Sequence, residues 1–302
     1  VYQQMTGRSD PTAASILSLL LVGFALLFLF GERWFRQQSR YYQTTGRFRS
    51  PSRSACGPLK TGGISLYLGA IFFVSFGGPL YLLLTWSGDA LAQGMLDSRF
   101  FGYVWNSAFL SSLAATIGVV LGIPLVYLAT RWPSHLHQAT LQAALTGYVL
   151  PGPVAALAIL VLVSAVAPFW YGSSLVLIVA YVVHFLPSGL QTMEPALQQV
   201  TPNLEESARC LGFTTLGTLR RVTLPLIRHG LVAGWILMFL QCMKELPATL
   251  LLRPVGFDTL AVRVWLEASE EYFQAAAPAA VLIVLMTIPA LLLLVSKDWR
   301  AA

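Results

Sequence analysis

The chain of 302 residues is 56% hydrophobic and only 11% charged. Because a soluble protein meets water over its whole surface and carries about a quarter charged residues, this composition excludes an ordinary soluble enzyme and a disordered chain. The three cysteines, Cys56, Cys210 and Cys242, form neither a disulfide framework nor a zinc pattern. We therefore predict an all-α polytopic membrane protein, and we attribute the net charge of +6 to membrane topology instead of a nucleic-acid partner.

Seven segments are long and apolar enough to cross a lipid bilayer, which takes about 20 helical residues. They are Ala13–Phe30, Ile64–Trp86, Tyr103–Thr130, Leu141–Val166, Ser174–Leu190, Leu231–Leu252 and Ala275–Val295. When the loop after the first segment is placed inside the cell, the inside loops hold fourteen of the 19 basic residues and the outside loops hold four. This asymmetry satisfies the positive-inside rule and supports the count of seven.

The basic, polar segment Glu32–Gly63 separates one predicted span from six. One span followed by six is the arrangement expected if residues 1–63 comprise the last transmembrane helix of a preceding repeat and a cytoplasmic linker. Residues 64–302 would then form a six-helix domain. We expect the chain to be the C-terminal half of a longer, duplicated polypeptide.

The longest inside loop among the six later spans, Gln191–Gly230, has the pattern of two short helices joined by a turn. Thr201 and Pro202 fit the N-cap and first position of a helix. Gly212 fits the turn after it, because a positive φ angle costs glycine little, and Pro225 is predicted to stop the second helix. One face of the first helix is apolar, with Leu204, Ala208 and Leu211. The pattern fits either a connector on the membrane surface or a docking element for a partner protein.

The spacing of polar and small residues in this loop is more specific. Glu206-Ser207-Ala208 is followed after three residues by Gly212, and after nine more by Val222, Leu224 and Pro225. This resembles the EAA loop of binding-protein-dependent ABC importer permeases, which has Ala at the position of Ser207 and Ile at that of Val222. The resemblance covers about residues 60–302 and implies a six-helix permease domain of the type I importer fold.

The resemblance also implies what the loop does. In the family, the loop sits in a cleft of the ATPase subunit and transmits its closure to the transmembrane helices. Glu206, Ala208 and Gly212 would be the contact and turn residues, and Gly212 would also let the two helices approach closely. We assign to the coupling loop Glu205, Glu206, Ser207, Ala208, Gly212, Val222, Leu224 and Pro225.

A second segment resembles the ferric-iron branch of these permeases. It comprises Lys244-Glu245-Leu246-Pro247-Ala248-Thr249-Leu250, Leu252-Arg253-Pro254, Thr259-Leu260-Ala261, Arg263 and Trp265. This implies a bacterial inner-membrane importer of ferric iron, working with a cytoplasmic ABC ATPase, a periplasmic binding protein and a second permease half. Thiamine, polyamine or phosphonate remain alternative substrates, because those branches share the EAA loop.

Lys244 and Glu245 lie inside an otherwise apolar predicted span, where an unpaired charge costs at least about 2.5–3.5 kcal/mol. Pro247 lacks an amide hydrogen and would open the helix just after them. We predict that Lys244, Glu245 and Pro247 line a wet translocation path, with the Glu245 carboxylate offering a hard oxygen to Fe³⁺. The alternatives are a structural Lys–Glu pair and side chains that extend to the outer interface.

The sequence contains no G-x-x-x-x-G-K-[ST], H-E-x-x-H or G-x-S-x-G pattern. We therefore predict no catalytic residue, no metal site and no cofactor in this chain, with ATP and Mg²⁺ bound by the partner ATPase. A secondary transporter that uses Lys244 and Glu245 as an ion relay is the less favoured alternative.

Overall fold

The computed structural model of the protein describes residues 57–148 and 150–298, together with scattered helical positions between residues 12 and 27. The regular structure of the described residues is helical throughout. In chain order the helices are α1 Pro58–Ala92, α2 Phe100–Arg131, α3 His135–Leu145, α4 Gly152–Val166, α5 Ser174–Gln198, α6 Pro202–Cys210, α7 Thr215–Met243, α8 Pro247–Leu252, α9 Leu260–Ser269 and α10 Phe273–Asp298.

Five of these helices, α1, α2, α5, α7 and α10, are long and apolar enough to cross a membrane, and α4 is a shorter apolar helix. The six overlap the last six predicted spans, so the predicted all-α polytopic membrane fold is confirmed. The predicted span Ala13–Phe30 and residues 32–56 of the predicted linker lie largely outside the described residues.

The first long helix begins at Pro58, earlier than the predicted start at Ile64. Its first residues therefore lie in the segment that was predicted to be a linker. Proline suits the first turn of a helix, because the amide hydrogen that it lacks would have no partner there. Helix α1 has 35 residues and is therefore about 52 Å long, well beyond the ~30 Å hydrocarbon core. Its second half packs on α10, where Trp86 stacks on Phe273 with 6.0 Å between ring centroids.

Two predicted spans are each broken in the structure. Leu141–Val166 divides into α3 and α4, and Leu231–Leu252 divides into α7 and α8. The breaks fall just before Gly152-Pro153 and Pro247, where a proline occupies the first turn of the new helix. Because proline cannot continue the hydrogen-bond ladder of a preceding helix, it starts a helix here instead. A break was predicted only in the second of these spans.

Two other prolines do not end a helix, and for Pro225 this is contrary to prediction. Helix α7 continues through Pro225 because a π-helical turn, Leu219–Thr223, precedes it, and the wider turn accommodates the proline ring. Helix α5 continues through Pro187 to Gln198. The Val183 carbonyl, which lies four residues before Pro187, faces Gly147, where an added Cβ would lie 2.6 Å from that oxygen.

Helices α2, α5 and α7 pack together as the centre of the molecule. Their largest core cluster includes Leu110, Leu177, Tyr181, Met238 and Met243. A second cluster, at the end of these helices nearest the loop between α5 and α7, includes Val126, Leu190, Met193, Leu197 and Ile227. This second cluster also includes Val200, just before α6, and Leu219 and Leu224 of α7 pack against it.

Candidate functional site

The loop predicted to contact an ATPase forms a compact helix–turn–helix. Helix α6 ends at Cys210, and Gly212 has φ = +92° in the turn that follows. This angle lies in the left-handed region that favours glycine, so the predicted turn conformation is confirmed. The next helix begins with a cap in which the Thr214 hydroxyl accepts the Gly217 amide at 3.1 Å.

The second role predicted for Gly212, a close approach of two helices, is wrong. A Cβ added at this position would meet no atom within 4 Å. Glycine is therefore favoured here by its backbone conformation, with no steric requirement from a neighbouring helix. Instead, the turn is held to α7 by a contact in which the Arg221 guanidinium lies 5.4 Å from the centre of the Phe213 ring.

The eight residues assigned to the coupling loop divide between a buried and an exposed face. Glu205 and Ala208 are buried; Val222 and Leu224 are half-buried; Glu206, Ser207, Gly212 and Pro225 are exposed. Only part of the predicted apolar face is covered by the rest of the described chain. Leu204 is 49% exposed, Leu211 80% and Leu216 on α7 72%. These three leucines form the exposed apolar surface of the loop.

A buried acidic residue, Glu205, joins α6 to the transmembrane helices. Its carboxylate accepts hydrogen bonds from the Arg131 Nε at 3.0 Å, the Tyr127 hydroxyl at 3.1 Å and the Thr223 hydroxyl at 3.0 Å. Glu205 is fully buried, and the Arg131 side chain is 8% exposed. The Arg131 Nη2 also donates to the Val200 carbonyl at 2.8 Å. We name these four side chains (Tyr127, Arg131, Glu205 and Thr223) the Glu205 cluster.

The Glu205 cluster connects three elements of the fold. Tyr127 and Arg131 belong to the end of α2, Glu205 to α6, and Thr223 to the π-helical turn of α7. A buried carboxylate bonded by a guanidinium and two hydroxyls is held in one position, because any displacement would leave a buried charge without partners. The cluster therefore fixes the position of α6 relative to α2 and α7. Sequence reasoning missed Tyr127, Arg131 and Thr223, since only their proximity in the fold connects them to Glu205.

The second predicted site lies at the break between α7 and α8. Glu245 is 9% exposed, and its carboxylate oxygen Oε1 accepts the Ala248 amide at 3.0 Å, within the first turn of α8. Its main-chain carbonyl accepts the Thr249 hydroxyl at 2.8 Å, and that hydroxyl lies 2.5 Å from the Tyr181 hydroxyl. Lys244 is exposed and Pro247 is half-buried.

The two half-helices α4 and α8 begin beside each other at this break. A Cβ added to Gly152, the first residue of α4, would lie 3.4 Å from the Glu245 Oε1 and 3.6 Å from the Pro247 Cβ. The carboxylate is therefore close to the positive ends of two helix dipoles, which favour a negative charge. These contacts favour a structural role for Glu245, with helix N-termini as its partners in place of Lys244. Its predicted role as an oxygen ligand in the path stays a prediction.

The opposite end of α2 carries a polar cluster outside the spans. The Tyr103 hydroxyl donates to the Asp97 carboxylate at 2.6 Å, and the Arg99 amide donates to it at 3.0 Å. These hydrogen bonds stabilise the carboxylate, so they lower the pKa of Asp97 below its ordinary value. The Arg263 guanidinium covers the Tyr103 ring at 5.1 Å from its centre and pairs with Glu267.

Comparison with known proteins gives consistent matches. Residues 118–298 match the sequence model of the binding-protein-dependent transport system inner membrane component family. An Fe(3+)-transport system permease protein of Haemophilus influenzae is 31% identical over 97% of this chain. A probable molybdenum ABC transporter permease of Haloferax volcanii is 29% identical over 81% of this chain and 95% of its own length. This chain spans only 59% of the length of the ferric relative.

The fold is also found among solved structures. The bacterial alginate ABC transporter, solved in complex with an alginate-bound periplasmic protein, has a chain that aligns with a TM-score of 0.62 at 16% identity. The alignment covers 80% of this chain and 95% of that one. Since the family match extends from α2 to α10 and includes the coupling loop, the chain belongs to the inner membrane components of binding-protein-dependent transport systems, the permeases of ABC importers.

Proposed function

We propose that this chain forms one half of the translocation path of an ATP-driven importer of ferric iron. It would be coupled to a separate ATPase through the loop 191–230. The observation that carries the coupling role is the two-sided arrangement of α6. One side is anchored to α2 and α7 by the Glu205 cluster, and the other presents Leu204 and Leu211 without a partner among the described residues.

The exposed leucines lie on the same loop as exposed charged residues, an arrangement that fits a partner protein. Glu206, Arg209, Arg220 and Arg221 are all exposed on the same loop. An apolar centre with a polar rim is typical of a protein interface. The other permease half and a periplasmic binding protein complete the proposed assembly in a bacterial inner membrane. The neighbouring alginate transporter structure, which contains a periplasmic protein, supports this composition.

Ferric iron is proposed as the substrate because the similarity to the Fe(3+)-transport permease extends over 97% of this chain. The match to a molybdenum permease covers less of this chain, 81%, and has a lower sequence identity, 29%.

The experiment uses the full-length permease, its ATPase and its binding protein in proteoliposomes. We expect ATP-dependent uptake of ⁵⁵Fe(III) and no uptake of labelled thiamine or spermidine. Leu211→Glu should reduce both ATPase binding and uptake, because it places a charge in the apolar centre of the proposed interface. Leu136→Glu is the matched control, since Leu136 on α3 is 70% exposed and lies outside the loop.

Three results would contradict parts of this proposal. Uptake of a different labelled substrate would refute the iron assignment and leave the importer role intact. Wild-type ATPase binding by Leu211→Glu would refute the docking surface. Uptake that continues without ATP and follows the membrane potential would favour the secondary transporter.

A further inference from the structure

The two charged residues at the break between α7 and α8 have opposite surroundings. The Glu245 carboxylate accepts a hydrogen bond from the first turn of α8 and lies against the start of α4, so its contacts are made within the fold. Lys244 is exposed, and none of the ion pairs within 4.0 Å among the described residues includes it. Of the two charged side chains at this break, the one that is exposed is therefore the cation, Lys244.

The exposure of Lys244 is local. Every residue from Ala233 to Pro254 is described, and Lys244 is the only one of them that is exposed. The residues before it, Cys242 and Met243, are 2% and 1% exposed, and Ala248 after it is 4% exposed. Lys244 is thus a single exposed residue within an otherwise tightly packed part of the molecule.

The position of Lys244 along the helices places it well inside the membrane. Lys244 lies fifteen positions after His229, which is exposed near the cytoplasmic loop, and this corresponds to a rise of about 22 Å. Helix α4, which starts beside Glu245, has 15 residues and also rises about 22 Å, towards the outer side. An ammonium group at such a depth is strongly disfavoured in lipid and normally faces a water-filled cavity.

We propose that Lys244 places a positive charge in the translocation path and that the cargo crosses as an anion whose oxygen atoms contact this ammonium group. The cargo would be an oxyanion or a ferric ion inside an anionic, oxygen-rich complex. A bare Fe³⁺ ion carries three positive charges and would be repelled by Lys244 in a medium that screens charge poorly. This inference rests on the proposed function, because it requires the chain to form a path.

The test compares charge variants at position 244 in proteoliposomes that contain the full-length permease with its ATPase and binding protein. The variants are Lys244→Arg, Lys244→Gln and Lys244→Glu. Lys60→Gln is the matched control, since it removes the same charge from an exposed position at the start of α1. The probes are ⁵⁵Fe(III) with ¹⁴C-citrate, ⁹⁹Mo-molybdate and labelled spermidine.

We expect uptake of the accepted anionic probe to fall by about tenfold or more in Lys244→Gln and further in Lys244→Glu. Lys244→Arg should retain most of the uptake, and Lys60→Gln should match wild type. Entry of ⁵⁵Fe together with ¹⁴C-citrate identifies an anionic ferric complex. Uptake of molybdate without iron, with the same dependence on charge, refutes the iron assignment and supports the anionic cargo.

A second measurement separates charge from packing. Lys244→Cys, in a background with Ser in place of Cys56 and Cys210, is treated with a methanethiosulfonate reagent that adds either an ammonium or a sulfonate group. Uptake should be restored by the ammonium and not by the sulfonate. The proposal is overturned if Lys244→Glu imports at the wild-type rate, if ⁵⁵Fe enters without its ligand, or if spermidine is the cargo.

Discussion

The Glu205 cluster allows a quantitative prediction for Glu205→Ala. This substitution removes three hydrogen bonds and leaves the Arg131 guanidinium, 8% exposed, without its carboxylate. Removal of one member of a buried ion pair destabilises the local structure by about 3–5 kcal/mol. The Arg131 Nη2 keeps the Val200 carbonyl at 2.8 Å, so we expect the lower part of this range, about 3 kcal/mol.

The assay is hydrogen exchange of the backbone amides of α6 in the full-length permease, followed by mass spectrometry. A loss of about 3 kcal/mol corresponds to exchange about a hundredfold faster if α6 opens locally. The neighbouring Glu206→Ala is the control, because Glu206 is exposed and its carboxylate does not belong to the cluster. Its α6 amides should exchange as in wild type.

The double variant Arg131→Met/Glu205→Ala tests the physical reason. Removing both charges leaves no unpaired buried ion, so protection of α6 should recover partly compared with Glu205→Ala alone. Wild-type exchange in Glu205→Ala would refute the anchoring role of the cluster. A double variant less protected than either single variant would refute the charge argument.

Three further predictions follow from particular positions. Gly212→Ala should destabilise the coupling turn by about 1–2 kcal/mol, because alanine is strained at φ = +92°; unchanged amide exchange in the turn would contradict this. Gly147→Ala should lower the thermal unfolding temperature in detergent, since its Cβ would lie 2.6 Å from the Val183 carbonyl oxygen and overpacking costs about 1–3 kcal/mol; an unchanged unfolding temperature would show that the backbone adjusts. Because hydrogen bonds lower the pKa of folded Asp97, they stabilise the protein above the ordinary aspartate pKa of about 3.9 and are lost as the pH falls through the lower, folded value. Tyr103→Phe should therefore make stability less dependent on pH below about pH 4, and an identical acid profile would contradict this.

The glycine predictions have matched controls. Gly102→Ala places a Cβ where no atom lies within 4 Å, in the first turn of α2. Alanine is the better helix former by about 1 kcal/mol, so this variant should be as stable as wild type or more stable. Gly94→Ala, at φ = +66° with no neighbour within 4 Å, should reproduce the cost of the positive φ angle outside the coupling loop.

Much of the fold follows from the sequence alone. Apolar segments of about 20 residues have few stable conformations in a bilayer other than a helix, because every backbone polar group needs a partner there. The sequence therefore predicted six of the helices, and the spacing in the loop predicted both the position of α6 and the positive φ angle of Gly212. These features depend on residues close together in the chain, so local pattern is sufficient to identify them.

Interactions between distant residues were not accessible from the sequence. Glu205 and Glu206 are adjacent and chemically identical, yet Glu205 is fully buried and Glu206 is exposed. The difference arises because Arg131 and Tyr127, more than 70 residues earlier in the chain, are placed beside only one of them. No local pattern contains that information.

The proline residues show the same limit. Pro247 and Pro225 each follow a leucine, but one begins a new helix and the other lies within a continuous one. Sequence determined that the helix ladder is interrupted at both places. Tertiary structure decided the outcome, because a π-helical turn precedes Pro225, whereas after Pro247 the Ala248 amide at the start of the new helix donates to the Glu245 carboxylate. The same packing buries Glu245 and exposes its neighbour Lys244.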